Sequence, residues 1–220
     1  MAEPRLALYG HHFSSYTWKA LIALYANGTD FDFRSIDEDH PENYAFVQSA
    51  GPLGKFPVLA DGDNVIFEAT SIIEYLANKH PGPEMLVPHD PDAALGVRML
   101  DRVLDNYVMN VMQQAVAEAL RNPGNPDPGV LAEVRGQLRR SYAWLEGWLE
   151  YYPVQGQITL VECAAAPSLF YADWVEPIGD EFPKLKAWRA HLLSLPPVAQ
   201  CVDDARPYRA GFPLGAPDRD

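Results

Sequence analysis

Three short segments hold the residues with chemical potential. Phe13-Ser-Ser-Tyr-Thr-Trp18 sets two hydroxyls, Ser14 and Ser15, ahead of an apolar helical run. Hydroxyls and unpaired N–H groups at a helix N-terminus stabilise an anion, a thiolate included. The same serines also suit plain N-capping. Gly54-Lys-Phe-Pro-Val-Leu59 puts Pro57 at a strand start, where a residue that cannot donate to a ladder is tolerated. A cis bond before Pro57 would leave the N–H and C=O of Phe56 free to pair with an extended peptide, whereas an ordinary trans proline would not. Phe67-Glu-Ala-Thr-Ser-Ile-Ile-Glu-Tyr-Leu76 places Glu68 just before a helix. The first-turn N–H groups of Ala69 and Thr70 could cradle a carboxylate while Glu68 takes an ammonium. Together they suit a zwitterionic amino-acid head; alternatively, Glu68 only complements the helix dipole.

Local patterning supplies the elements that position these groups. Residues 5–9 read as a strand, Tyr16–Asn27 as a helix ending at Asn27-Gly28, and Phe31–Ile36 as a half-buried strand. A weak helix near 42–49 follows. Phe56–Ala60 and Val65–Phe67, joined by Asp61-Gly-Asp-Asn64, read as a hairpin, and Ala69–His80 as an amphipathic helix. Pro81–Pro91 is a proline-rich linker without periodicity. Beyond it only helices are expected. Leu100, Val103, Leu104, Tyr107, Val108, Val111, Met112 and Ala115 define one long helix, and Leu131–Leu149 a second, stopped by Pro153. Thr159 to about Asp173 and Phe182–Leu195 follow, with a short piece after Pro196-Pro197. Arg206–Asp220, with three prolines and two glycines, reads as an irregular tail.

The 220 residues carry 17 Lys+Arg against 30 Asp+Glu, a net charge of −13. An acidic surface repels phosphate, so nucleic-acid binding is excluded, and an anionic membrane is disfavoured likewise. With 48% hydrophobic and 21% charged residues the chain folds rather than staying disordered. Two cysteines, Cys163 and Cys201, make neither a disulfide framework nor a four-ligand zinc site. No secretory signal or apolar run of about 20 residues is visible, so a soluble cytoplasmic setting without metal is expected.

In order and spacing, the SSYTW helix start, the GKFPVL segment, the EATSIIEYL helix, the proline linker and the helical second half resemble a cytosolic glutathione transferase over residues 5–205. Ile158–Leu169 resembles the family's helix start in the second half, with Thr159 and Glu162 forming a capping box. The resemblance implies an α/β thioredoxin-like N-terminal domain followed by an all-α C-terminal domain. Its boundaries fall at 1–81 (glutathione-binding), 82–91 (linker), 92–205 (electrophile-binding) and 206–220 (tail).

What the resemblance implies for the site is specific. Pro57 is the cis-proline, Phe56 grips the cysteinyl part of glutathione, and Glu68, with the backbone of Ala69 and Thr70, holds the γ-glutamyl head. Lys55 reaches a glutathione carboxylate or is a solvated surface lysine, and His40 lies in a loop where some classes use a basic side chain. Ser14, in a segment like that of zeta-class and many bacterial members, donates a hydrogen bond to the thiolate; Ser15 is the alternative donor, and Tyr16 and Thr17 fall inside the helix. Phe13, Tyr107, Val108, Met112 and Trp174 are the expected electrophile pocket. A homodimer joined through the long helices, glutathione as co-substrate, and a detoxifying role complete the expectation. Ala69 departs from the family's Ser or Thr, and the lost charge-assisted bond would cost ~1.5–3 kcal/mol, one to two decades of affinity. A zeta-type cis–trans isomerase of an unsaturated diacid and a non-catalytic binding module are the alternatives.

Overall fold

The computed structural model describes residues 6–152, 154 and 156–219. The first half runs β1 (Ala7–Gly10), α1 (Ser15–Ala26), β2 (Asp32–Ser35), α2 (Pro41–Ala50), β3 (Val58–Asp61), β4 (Asn64–Phe67) and α3 (Ala69–Lys79). Its sheet has the order β2-β1-β3-β4, with β1 parallel to β2 and antiparallel to β3, and β3 antiparallel to β4. The second half is helical: α4 (Pro91–Leu104), a π-helical turn (Asp105–Met109), α5 (Asn110–Arg121), α6 (Pro128–Trp148), α7 (Leu160–Val175), α8 (Pro183–Ser194) and α9 (Pro196–Ala205). Each element matches an expected one to within a few residues. The proposed stop at Pro153 and the strand start at Arg5 lie outside the described residues.

Prolines set the helix starts. Among the described residues α2, α4, α6, α8 and α9 each carry Pro in the first turn, where a missing N–H costs nothing and φ is already helical. Asp90 and Asp127 cap α4 and α6 by accepting the N–H groups of Ala93 and Gly129. At α7 the capping box forms: Val161 N–H donates to Thr159 Oγ1 at 3.1 Å and Thr159 N–H to Glu162 Oε2 at 2.9 Å. Every residue of α7 is buried, as its apolar circumference requires, and it packs against α1, α4 and α8.

Two expectations need correction. The long helix is one rod, but a π-helical turn interrupts it between α4 and α5. The tail is not irregular throughout: Arg206–Gly211 forms a 3₁₀ turn and Phe212 is buried beside Trp174. Apolar side chains at Phe212 and Leu214 pack on the core despite the flanking prolines and glycines. Arg209 donates to the carbonyls of Pro217 and Arg219, and Arg219 pairs with Asp173 at 3.0 Å.

Candidate functional site

The hairpin and the start of α3 shape one wall of a cavity of 320 Å³. The Phe56–Pro57 bond is cis. Phe56 stands outside the ladder, whose register begins at Val58 opposite Tyr9 and Phe67. Glu68, between β4 and α3, sits at φ +69°, the one non-glycine residue among those described with positive φ. Such a backbone costs ~1–3 kcal/mol and persists where its surroundings fix it, frequently at a ligand site. Glu68 makes no side-chain cap bond, so the first turn of α3 keeps its N–H groups open, and both Glu68 and Ala69 line the cavity. Lys55 lies exposed at the rim.

The opposite wall comes from α1 and the α4–α5 rod. The π-helical turn adds a residue to one helical turn, and Asp105, Asn106 and Asn110 all line the cavity with Arg102. The Tyr16 hydroxyl donates to Asn110 Oδ1 at 2.5 Å. Burial, then the neighbouring Asp105, pushes the Tyr16 phenol far up from its ordinary value.

Behind this wall lies a buried charge cluster. Lys19 Nζ contacts Asp101 Oδ1 at 2.6 Å, Asp105 Oδ1 at 2.7 Å and Thr70 Oγ1 at 3.1 Å. Thr70 Oγ1 donates to Asp101 Oδ2 at 2.8 Å, and the Arg102 guanidinium bonds both aspartates. Two cations therefore meet two carboxylates. Burial holds the Asp105 carboxyl above its usual range, with Lys19 opposing the shift. The Thr70 hydroxyl is taken up here and does not replace the one missing at Ala69.

Ser14 caps α1, accepting the Thr17 N–H at 3.2 Å. An accepting hydroxyl keeps its own hydrogen to donate. Ser14 is half-buried and lines neither cavity, but its neighbours do: Tyr16 borders the first, and Phe13 and Ser15 border a second of 180 Å³. Met112 also lines the second cavity, together with Gln113, Tyr171 and Phe212.

Other expected residues lie elsewhere. His40 is exposed at the start of α2, 2.6 Å from Asp37, whose hydrogen bond raises the imidazole's pKa; it does not reach the cavity. Val108 is fully buried core. Tyr107 is 60% exposed and lines a groove with Val103 and Trp144, because the rod turns it away from Phe13. Trp174 is buried against Phe212 and the Arg209 guanidinium, and the space it borders with Phe13, Phe170 and Arg209 is only 10 Å³. Cys163 and Cys201 are buried, and burial raises both thiols.

Sequence reasoning missed Arg102, Asp105, Asn106, Asn110 and Gln113. A signal existed: Asp101 and Asp105, at i and i+4 on an apolar face, called for a buried cation. Among the described residues no cluster of three or more His, Cys, Asp or Glu is arranged to hold a metal, and no helix is long and apolar enough to cross a membrane.

Comparison with known proteins gives consistent matches. Residues 8–84 match the profile described as glutathione S-transferase, N-terminal domain, and residues 108–196 that of the C-terminal domain. Glutathione S-transferase F6 of Arabidopsis thaliana is 27% identical over 87% of this chain and 96% of its own. A probable maleylacetoacetate isomerase of Vibrio cholerae is 26% identical over 92% and 97%. Among solved structures, a glutathione S-transferase of Methylobacterium radiotolerans in complex with glutathione sulfonate superposes with a TM-score of 0.74 at 26% identity, covering 90% of this chain and 95% of that one.

Proposed function

The chain belongs to the glutathione S-transferase family, and from that premise we propose that it ionises the thiol of bound glutathione and directs it at a small hydrophobic electrophile. The observation that carries this reading is the convergence on one cavity of Phe56, cis Pro57, Glu68 and the open first turn of α3. Glu68 takes the ammonium of the γ-glutamyl head, the α3 N–H groups its carboxylate, and the Phe56 backbone the cysteinyl unit. Lys55 and the α3 N-terminus give a locally favourable field within a chain of charge −13, since Arg102 is balanced by Asp101 and Asp105.

Ser14 then donates its hydroxyl to the sulfur, and the N-terminus of α1 adds to the effect. A thiol of pKa ~8.5 is only a few per cent ionised near pH 7, and lowering it by about two units, roughly 2.7 kcal/mol, makes it mostly thiolate. The electrophile sits in the 180 Å³ cavity beside Phe13 and Ser15, adjacent to that sulfur. The isomerase reading is disfavoured, because an unsaturated diacid calls for cations and the residues lining this cavity include none. Residues 1–81 form the glutathione-binding unit in this reading and 92–205 the electrophile-binding one, in a cytoplasmic, detoxifying protein.

A second copy covers the exposed Leu95, Met99, Tyr107 and Trp144, so sedimentation should return twice the chain mass. Calorimetry with glutathione and turnover of a chloronitroaromatic compound test the enzyme. Binding without turnover of any electrophile would leave a binding module, and absence of binding would end the proposal.

A further inference from the structure

Between the end of β1 at Gly10 and the start of α1 at Ser15, the chain makes a short turn that delivers Ser14. A Cβ at Gly10 would meet the Thr17 side chain at 2.6 Å, so the chain leaves the sheet in close contact with the first turn of α1. His11 bonds the turn twice. Its carbonyl accepts the Ser14 N–H at 2.9 Å, and its Nδ1 accepts the Phe13 N–H at 3.0 Å. The side-chain bond reaches two residues on, as Asn or Asp does in an Asx-turn. The His11 N–H in turn donates to Thr17 Oγ1 at 3.4 Å. The peptide units on both sides of Phe13 are therefore fixed by one residue, and Ser14 follows directly as the cap of α1. Accepting at Nδ1 requires a lone pair there, so the ring is neutral and carries its proton on Nε2. A proton taken from solvent at Nδ1 would set donor against donor, and the Phe13 N–H would lose its partner. The titratable groups facing the ring are His12 beside it, Asp37 from the loop before α2, and Tyr208 from the 3₁₀ turn, whose ring meets it edge-on at 4.5 Å between centroids. Asp37 favours the charged ring but is engaged by His40 at 2.6 Å; burial and then His12 favour the neutral ring and prevail.

We propose that His11 is a positioning residue of the transferase: its neutral imidazole locks the turn that sets Ser14 against the glutathione sulfur, and its protonation releases that turn and weakens the site in acid. This role rests on the glutathione reading of the neighbouring cavity. His11 touches no reacting atom in it and acts through Ser14. Two protonations then compound as pH falls, one at the sulfur and one at His11. A single titrating group limits the acid limb of a rate profile to about tenfold per pH unit, and a second group makes it steeper. Because burial keeps the ring neutral, the second step falls on the acid side of the ordinary imidazole value of ~6.5.

The test follows kcat/KM for a chloronitroaromatic electrophile at saturating glutathione, from about pH 7.5 to about pH 5, in wild type, His11→Asn and His11→Ala. Circular dichroism at each pH is the control for folding. Asn offers an acceptor near the Nδ1 position but does not titrate. His11→Ala should be ~10-fold slower than wild type at about pH 7.5, and His11→Asn should restore that loss. Towards about pH 5, wild type should fall ~10-fold further than His11→Asn. Parallel acid limbs in wild type and His11→Asn, or a His11→Ala variant as fast as wild type near neutrality, would overturn the proposal. Nuclear magnetic resonance of the wild-type chain reads the turn without variant or ligand: the Phe13 amide proton should shift with the same midpoint as the His11 ring. A Phe13 amide that stays still while His11 titrates, or a His11 ring still neutral at about pH 5, would overturn the proposal as well. A wild type that binds no glutathione, or binds it without turnover, overturns the parent reading instead.

Discussion

Lys19 Nζ lies 2.6 Å from Asp101 Oδ1 with both side chains wholly shielded from solvent, and this contact ties α1 to α4. Asp105 completes the cluster at 2.7 Å and reaches the cavity wall, so one set of charges joins the two halves and shapes the site.

Removing the buried cation leaves two carboxylates that only the half-exposed Arg102 compensates. Breaking a buried pair from one side typically costs ~3–5 kcal/mol, because the orphaned charge stays in a poor solvent. Lys19→Met should therefore lose about that much in urea denaturation. Lys19→Met with Asp101→Leu should lose less than the sum of the single variants, since those two residues no longer strand each other. A single variant within about 1 kcal/mol of wild type would show the cluster to be dispensable.

Ser14 caps α1 in the structure and is proposed to bind the thiolate, and different substitutions separate the two. Its Oγ accepts the Thr17 N–H, and its hydrogen is assigned to the thiolate. Asn caps helices as well as Ser but has no hydroxyl, so Ser14→Asn should keep stability, whereas Ser14→Ala should lose ~0.5–2 kcal/mol. Both should lose the ultraviolet thiolate absorbance of bound glutathione near neutral pH. A thiolate band unchanged in both variants would remove Ser14 from catalysis and leave it a cap.

The parts of the site legible in the sequence are those one local segment specifies. Pro57 needs only a strand start, and Glu68 only a helix beginning at the next residue. Tyr16, Asn110 and Gln113 depend instead on how the α4–α5 rod crosses α1. The π-helical turn at Asp105–Met109 alters that register, and apolar periodicity does not report it. Within the rod Met112 borders the 180 Å³ cavity, whereas Val108 is buried core and Tyr107 faces the groove with Trp144. The tail was obscured for another reason: composition weighs its prolines and glycines, but Phe212, packed between Phe13 and Trp174, anchors it together with Leu214 and the Arg219–Asp173 pair.

His11 and His12 precede the Ser14 cap, and burial lowers both imidazole pKa values; the neighbouring His12 adds to the shift at His11, and Asp204 opposes it at His12. His12 stacks on Phe33 with ring centroids 4.0 Å apart. The folded pKa is thus below the unfolded value of ~6.5, so below that pH the unfolded chain binds protons the folded one refuses. Stability from these groups is complete above pH ~6.5 and is lost as pH falls through that window. Denaturation at about pH 7.5 and about pH 5.5 should show the loss, and His12→Phe should shrink the difference. An undiminished difference in the variant would assign the acid sensitivity elsewhere.

Ala69 offers a prediction in the direction of gain. It lines the cavity beside Glu68, and the hydroxyl of Thr70, one residue on, is held by Lys19, Asp101 and Arg102. The Thr70 hydroxyl is therefore not free to supply the hydrogen bond that a hydroxyl at position 69 would give the γ-glutamyl carboxylate proposed to bind there. Ala69→Ser adds one oxygen at the first turn of α3, where hydroxyls are well tolerated. A charge-assisted bond of ~1.5–3 kcal/mol should tighten glutathione binding by about one to two decades in calorimetry. Ala69→Val, similar in bulk but without a hydroxyl, should not tighten it. Equal affinity in wild type and Ala69→Ser would mean that the carboxylate lies out of reach of this turn, and that the α3 N-terminus is not where the γ-glutamyl head is held.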